Sequence, residues 1–297
     1  MTTAPRFDAH TTRATLEVAC KHGGLDAHGA ELVRMGENAM YRLATGNIMA
    51  RVGRSVEASR KELHVADWLG DHRFPAARLA EVPQPVADRD VAVTFWEFIE
   101  SCEPPARSAE LGAVLRDLHS LPAPRFSLPD FQPMPKVDDR LAKVGPSLPS
   151  RELEFLAHRK QDLEEQFQSL DFELEVGPIH GDAHRSNLLR DCTTGQVRLI
   201  DFEDFCVGPR EWDLCVEAVG YWALNWISDA DYESYVEACG FDALSWPGFK
   251  VVRAIRELNM TTWLAQMLGQ SSEVDAEVMR RIRDLRNEDV PRDWRPF

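Results

Sequence analysis

Three oxygen-bearing side chains stand in one stretch past the middle of the sequence, in the order Asp182, Asn187 and Asp201. Carboxylate and amide oxygens are the donors that Mg²⁺ takes from proteins, usually one or two, with phosphates and water completing its shell. Asn187 and Asp201 can provide such a pair. Asp182 can accept a proton from a hydroxyl group and aim the oxygen as a nucleophile. These residue types predict phosphoryl transfer, which needs positioning and charge neutralisation more than covalent help.

The spacing of these residues matches the catalytic loop of kinases. Asp182 and Asn187 are five residues apart, as in the pattern H-R-D-x-x-x-x-N, with glycine in place of the arginine. The run I-D-F-E-D at 200–204 begins its D-F where a metal-binding D-F-G would, with glutamate instead of glycine. Two motifs in this order favour a phosphotransferase site over isolated loop aspartates, which usually cap or turn the chain.

A predicted β-hairpin over residues 187–200 would position the two metal ligands. Turn-forming residues at 191–195 separate two short strands. We expect Asn187 and Asp201 to become neighbours at the open end of this hairpin. We also expect Asp182 to converge with them around a magnesium-bound triphosphate.

The first third of the sequence predicts a β-rich region. A helix is expected over 11–30, and Ser55 is a plausible N-cap for a second one. A further β-rich run occupies 91–100, before Pro104-Pro105 interrupts the pattern. Between the helices, a meander of three antiparallel strands is predicted over 31–35, 39–43 and 48–53.

The remainder of the chain predicts mostly helix around one small β-hairpin, which gives an α+β fold in two lobes. We predict a β-rich N-terminal nucleotide-binding lobe over 1–100, with a hinge at its end. A helical C-terminal lobe over 101–297 would carry the catalytic loop and the substrate site.

The motif H-G-D-x-H-x-x-N at 180–187, followed by I-D-F-E-D, resembles the aminoglycoside phosphotransferase and choline kinase family. The later segment 208–214, G-P-R-E-W-D-L, is similar to the G-x-x-x-x-D-L segment of that family. The resemblance covers about residues 30 to 270. It implies a protein-kinase-like fold and an ATP- and Mg²⁺-dependent transfer of phosphate to a hydroxyl of a small molecule.

The same resemblance implies roles for five side chains. Asp182 would be the catalytic base, and Asn187 and Asp201 would bind magnesium. His180 would brace the catalytic loop, and Asp213 would support it from a helix. A metal pair formed by His180 and a second histidine four residues later is the alternative, but the intervening glycine and the flanking strands argue against a helix there.

The nucleotide end of the site is predicted on the first strands. Gly36 lies in a turn that could cover phosphates, although it is equally a hairpin glycine. By resemblance, a cation on the third strand contacts the phosphates and pairs with a glutamate of the next helix. Arg51 is the candidate cation and Glu62 its partner, with Arg54 and Glu57 as the alternatives.

The hinge between the lobes is placed by resemblance alone. The backbones of Glu97 and Ile99 would bond adenine, and Phe95 or Trp96 would pack on it. Substrate residues are left unassigned. The candidates are the acidic, aromatic and amide side chains of the C-terminal helices: Glu217, Tyr221, Trp222, Trp226, Asp229, Glu257, Asn259 and Trp263.

Composition narrows the class of protein further. The net charge of −15 and the absence of a dense basic run argue against a nucleic-acid partner and mildly favour a cationic substrate. No apolar run is long enough to cross a membrane. The six cysteines are scattered without a C-x-x-C pair, so we expect reduced thiols in a cytoplasmic protein and no zinc site.

Two classes of function follow from the sequence. The first is a small-molecule kinase whose acceptor is an antibiotic such as an aminoglycoside, or a metabolite such as choline, an amino sugar or a hydroxy-amino acid. The second is a kinase-like binding module without turnover, against which the complete set of Asp182, Asn187 and Asp201 argues. Protein-kinase activity is disfavoured because no A-P-E segment follows residues 200–204.

Overall fold

The computed structural model describes residues 7–88, 90–287 and 292–297. These residues form two compact units that are discontinuous in sequence. The sheet unit contains the described residues up to Ala106, together with Leu121–Leu128 and Arg185–Phe205. The helical unit contains Arg107–Ser120, Pro129–His184 and the described residues from Cys206 onwards. The predicted division after residue 100 stays a prediction.

The sheet unit is built on a five-stranded antiparallel sheet with the order β1-β2-β3-β5-β4. The predicted meander is present, and β4 is a short strand that the sequence did not reveal. Alternate residues of each strand point to opposite faces of the sheet. The strands are β1 (Glu31–Met35), β2 (Ala39–Arg42), β3 (Ile48–Gly53), β4 (Val86–Asp88) and β5 (Val91–Glu97).

One face of the sheet packs against helix α1 (Ala9–Gly23). The core between them includes Leu16 of the helix and Tyr41, Ala50 and Phe95 of the strands, all almost fully buried. The helix ends well before the predicted residue 30, because Gly24 adopts a left-handed φ of 70° and its N–H closes the last turn on Cys20.

Helix α2 (Val56–Asp71) follows the third strand directly. Ser55 caps it as predicted, since its hydroxyl accepts from the N–H of Ala58 at 3.2 Å. The cap fixes where the helix begins. Glu62, in its second turn, is thereby placed on the buried side of the helix.

The predicted hairpin is present in the sheet unit as β7 (Leu188–Arg190) and β8 (Val197–Leu199). Asn187 does not belong to the strand, because it ends a 3₁₀ turn that begins at Arg185. Asp191 closes the hairpin turn by accepting from the N–H groups of Thr193 and Thr194.

The helical unit contains two short antiparallel strands, β6 (Val176–Ile179) and β9 (Cys206–Pro209), within a set of seven described helices. Within the described ranges, no helix combines the length and the apolar character needed to cross a lipid bilayer. The helices are α3 (Ser108–His119), α4 (Val137–Val144), α5 (Ser150–Gln168), α6 (Glu211–Ala218), α7 (Asp229–Cys239), α8 (Phe249–Ala265) and α9 (Ser272–Leu285).

Candidate active site

Arg51 lies at the centre of a group of carboxylates in the sheet unit. Its guanidinium donates to Glu62 of α2 and, at 2.8 Å, to Oε2 of Glu203. Asp201 Oδ1 lies 3.9 Å from the same group. We call these four residues the Arg51 cluster. It holds three carboxylates around one guanidinium, and that arrangement favours binding of a further cation.

The structure distinguishes Arg51 from the alternative cation. Arg51 lies on the sheet face opposite α1, and its side chain is 11% exposed. Arg54 is exposed and donates to the main-chain carbonyl of Glu37 at 2.8 Å. Glu62 is buried, whereas Glu57 is exposed at the start of α2. The first choice for the ion pair is therefore the one present in the structure.

Glu203 was not singled out by the sequence, yet it organises this cluster. Its carboxylate accepts from Arg51 and, at 2.9 Å, from Nδ2 of Asn38. Its main-chain carbonyl accepts from the ammonium of Lys61, which also reaches the carbonyl of Phe205 at 3.1 Å. A glutamate at the glycine position of D-F-G was the one available signal.

The two predicted metal ligands lie at the open end of the hairpin. The N–H of Ile200 donates to the carbonyl of Asn187 at 2.9 Å, which brings the following Asp201 beside it. Asp201 has a φ of 65°, a left-handed conformation that costs energy for a residue with a side chain. Its carboxylate is 44% exposed. Strain of this kind is concentrated at functional sites.

The carboxyl group of Glu62 has a pKa near neutral pH. Burial raises its pKa to about 7, with Asp201 and Glu203 contributing in the same direction and the charge of Arg51 opposing them. A buried carboxylate keeps its proton to a higher pH because its charged form has lost solvation. The net charge of the cluster therefore changes with pH in the neutral range.

The remaining predicted nucleotide residues lie in the turn after β1 and at the end of β5. Gly36 is exposed, and a side chain built there would meet nothing within 4 Å. The N–H of Glu97 donates to the carbonyl of Arg78 at 2.9 Å, so an adenine contact by Glu97 would use its carbonyl. Ile99 follows in an irregular segment.

Phe95 and Trp96 differ in their availability to a nucleotide. Phe95 is fully buried in the core against α1, so it does not face the side of the sheet that carries Arg51. Trp96 is opposite Met49 in register and shares the face of Arg51. Its ring lies 5.8 Å from that of Phe202. Of the two aromatic residues, Trp96 is the one on the face of Arg51, and its contact with adenine stays a prediction.

In the helical unit, Asp213 of α6 holds the segment that carries Asp182. Oδ2 of Asp213 accepts from the N–H of His180 at 2.8 Å, and Oδ1 from the N–H of Gly181 at 3.0 Å. His119 Nε2 lies 3.2 Å from Oδ2. Asp213 is fully buried, and its hydrogen bonds hold the main chain of His180 and Gly181.

The pKa of Asp213 is explained by these contacts. Burial alone would raise its pKa, but the hydrogen bond and charge of His119, the charge of His180 and the main-chain N–H of His180 outweigh it. The pKa of Asp213 is therefore lowered, and the carboxylate stays ionised. No sequence motif pointed to His119, because its partner lies on a different helix.

Asp182 follows Gly181, whose φ of 85° turns the chain. The carboxylate of Asp182 is 53% exposed and lies 3.4 Å from Nε2 of His184. Partial burial alone would raise the pKa of Asp182, but His184, His180 and Arg256 lower it to about 2. His180 is buried, whereas His184 is partly exposed and contacts Asp182.

The main-chain carbonyl of this loop is also fixed. The indole of Trp212 donates to the carbonyl of Gly181 at 2.7 Å. Arg256 of α8 stacks over the same indole at 4.3 Å and donates to the carbonyl of Trp212. Three main-chain groups directly before Asp182 are therefore held by side chains of α6, which limits how far the loop can shift.

The unassigned substrate candidates are mostly engaged in internal contacts. Glu217 accepts from the Ser108 hydroxyl, and Glu257 pairs with Arg292 at 3.0 Å. Tyr221 stacks on Tyr232 with ring centroids 4.5 Å apart. Trp222 and Trp226 keep exposed surface, 57% and 39% respectively.

Comparison with known proteins places the chain in a class. A sequence model of the phosphotransferase enzyme family matches residues 32–255, so the chain belongs to this family. It is therefore a small-molecule phosphotransferase that acts on hydroxyl groups, as the motifs predicted. Comparison with curated protein sequences finds no match.

Solved structures share the fold at low sequence identity. The amicoumacin kinase hAmiN, in complex with AMP-PNP, Ca²⁺ and Ami, aligns with a TM-score of 0.72 and 15% identity over 98% of each chain. A microcompartment-associated aminopropanol kinase gives 0.67 and 18%, over 94% of this chain and 95% of its own. The choline kinase LicA from Streptococcus pneumoniae gives 0.64 and 15%, over 94% and 99%. The predicted protein-kinase-like α+β fold is confirmed.

Proposed function

We propose that this chain transfers the γ-phosphate of ATP to a hydroxyl of a small, amine-bearing molecule, with Mg²⁺ as the metal. The Arg51 cluster is the observation that carries this proposal. A buried guanidinium on the third strand, oriented by Glu62 and Glu203, offers forked donors suited to phosphate oxygens. The similarity to a kinase solved with AMP-PNP and Ca²⁺ supports a triphosphate and a divalent cation.

The residues present fit a magnesium ion that is shared with the nucleotide. Asn187 and Asp201 stand side by side at the end of the hairpin and offer the hard oxygen donors that Mg²⁺ prefers. The excess of carboxylate around Arg51 favours an added cation. When bound, the metal would neutralise charge on the phosphates. Gly36, Glu97 and Ile99 would complete the nucleotide contacts.

Asp182 acts on the hydroxyl group of the acceptor molecule. Its low pKa keeps the carboxylate ionised at neutral pH, so it can accept a hydrogen bond from the substrate hydroxyl and orient the oxygen. It takes the proton as the oxygen bonds to phosphorus. His180 and Asp213 position the loop without touching the substrate. Because Asp182 is half exposed, a hydroxyl can approach it from solvent.

The acceptor is an alcohol that also carries an amine. Relatives of the same fold act on choline and aminopropanol, and both are alcohols that carry nitrogen. The net charge of −15 attracts cations over long range. An antibiotic, as in the amicoumacin kinase, is the second candidate of the same chemical class. We place the enzyme in the cytoplasm, where ATP is supplied.

The test is an ATP-consumption screen over amino alcohols, amino sugars, hydroxy-amino acids and aminoglycosides, with the Asp182→Asn variant beside the natural protein. We expect turnover with one class, reduced roughly 10²- to 10⁴-fold in the variant, because a positioned base contributes that much. Nucleotide-induced thermal stabilisation should survive in the variant, since the nucleotide residues are intact.

Two outcomes would contradict the proposal. Full activity of Asp182→Asn on the true acceptor would show that Asp182 is not the catalytic base. Stabilisation by MgATP with no turnover on any alcohol of the panel would favour a binding module instead.

A further inference from the structure

Two exposed cysteines lie next to each other at the edge of the sheet unit. Cys102 follows the end of β5, and Cys192 follows β7. All six cysteines fall within the described residues, and the other four are buried. The thiol of Cys102 lies 3.8 Å from the carbonyl oxygen of Arg190, two residues before Cys192.

The backbone holds the two segments in a fixed register. Ser101 and Asp191 form an antiparallel bridge. The N–H of Cys102 donates to the carbonyl of Arg190 at 3.1 Å, and the N–H of Cys192 donates to the carbonyl of Glu100 at 2.8 Å. In this register, Cys102 and Cys192 are diagonal neighbours on one face, where side chains can meet.

Asp191 stiffens one side of this bridge. Its carboxylate accepts from the N–H groups of Thr193 and Thr194 and pairs with Arg198 at 2.6 Å. The flanking residues 101–105 and 192–196 are exposed, so small shifts of the chain meet little packing resistance. The pair is therefore held close but is free to adjust to the geometry of a covalent bond.

We propose that Cys102 and Cys192 form a reversible disulfide, and that this pair is a redox-sensitive modification site of the protein. The oxidant is a peroxide. One thiol attacks a peroxide oxygen, releasing water and leaving a sulfenic acid. The second thiol displaces the sulfenic hydroxyl as a second water and closes the S–S bond. Two thiols and one hydrogen peroxide thus give one disulfide and two waters, and a dithiol reductant reverses the change.

The interaction with Cys102 raises the pKa of Cys192. Either thiol can attack the peroxide, and the other then closes the disulfide. Exposed pairs of this kind are the labile, responsive disulfides rather than the structural ones.

The experiment treats the full chain with hydrogen peroxide and maps disulfides by peptide mass spectrometry. We expect a single bridge between Cys102 and Cys192 that dithiothreitol removes. Closing a loop of about 90 residues should raise the melting temperature of the oxidised protein by roughly 5 °C. Both results are independent of the acceptor and of the nucleotide.

Three variants make the result specific. Cys102→Ser and Cys192→Ser should each lose the bridge and the thermal shift. In each of these variants, a sulfenic acid on the remaining thiol of the pair should persist and react with dimedone. Cys239→Ser, at a buried cysteine of the helical unit, is the matched control and should oxidise like the natural protein. A bridge between other cysteines, or two thiols that remain free at the end of the reaction, would overturn the proposal.

Discussion

In the Arg51 cluster, carboxylates are held by the positive charge of Arg51, whereas in the helical unit Asp213 is held by main-chain amides. Arg51 has three acidic neighbours, one of which, Asp201, is exposed and strained. Asp213 has two N–H donors and a histidine around a single buried carboxylate. The first arrangement has an excess of negative charge, and the second is balanced.

This difference in charge balance indicates a different role for each region. Residual negative charge in the sheet unit weakens the protein without ligand but strengthens cation binding. Saturated hydrogen bonding in the helical unit stabilises one backbone conformation beside Asp182. We therefore expect charge-removing substitutions to lower binding in the first region and stability in the second.

The largest effect is expected for Asp201→Asn. Asparagine tolerates the left-handed backbone of this position, so the fold should be preserved. Removing one carboxylate ligand should lower kcat/KM for MgATP about 10³-fold, or about 4 kcal/mol. Thermal stability without ligand should stay the same or rise, because carboxylate repulsion around Arg51 is relieved.

Steady-state kinetics and calorimetry with MgATP measure this effect. Asp67→Asn, at an exposed position of α2, is the matched control and should leave both quantities unchanged. Unaltered MgATP affinity in Asp201→Asn would show that Asp201 does not bind the metal.

A somewhat smaller effect, on stability, is expected for Asp213→Asn. The amide NH₂ of asparagine would face an N–H group of the loop and leave it unpaired in a buried place. We expect a loss of about 3 kcal/mol in the free energy of unfolding. Asp139→Asn, on the exposed side of α4, is the control. A variant as stable as the control would show that the loop does not depend on this carboxylate.

Because of Asp213, we expect the stability of the natural protein to fall at low pH. The pKa of Asp213 in the folded protein lies below its ordinary value of 3.8. Its stabilising contribution is therefore present above pH 3.8 and is lost as the pH falls through the folded pKa. Chemical denaturation of the natural protein should show this loss at low pH, and Asp213→Asn should not.

The smallest effect is expected for Glu62→Gln, and it should depend on pH. The pKa of Glu62 rises from 4.5 to about 7 on folding, so the folded state binds more protons in between. Stability from this group is present at low pH and falls as pH rises from 4.5 through 7. The advantage of the variant over the natural protein should grow by about 2 kcal/mol between pH 5 and pH 8.

Urea denaturation at the two pH values measures this difference. The exposed Glu57→Gln on the same helix is the control and should show no pH-dependent gain. A Glu62→Gln variant that is less stable at pH 8 would mean that the ion pair with Arg51 outweighs the cost of burial.

Much of the fold could be predicted because local patterns determine it. The meander, the Ser55 cap and the hairpin before Asp201 follow from turn residues and alternation. Helix α1 was predicted too long, because Gly23-Gly24 was not recognised as a stop. The short strand β4 has too few residues to show a period of its own.

The site was predicted where motifs mark it and missed where contacts join distant segments. Arg51 and Glu62 were paired through the family resemblance, which implies a cation on the third strand and a glutamate on the next helix. Asn38 and His119 have no local signal, and Glu203 is marked only by its place at the glycine position of D-F-G. Each gains its role from a partner far away in the sequence. A single sequence does not display such contacts.

Lys61 makes two main-chain contacts that restrain helix α2. They tie helix α2 to the backbone at Glu203 and Phe205, just past the strained Asp201, while the adjacent Glu62 is paired with Arg51. Both contacts oppose an outward movement of α2 that would separate Glu62 from Arg51. We therefore expect this pair to form whether or not a nucleotide is bound.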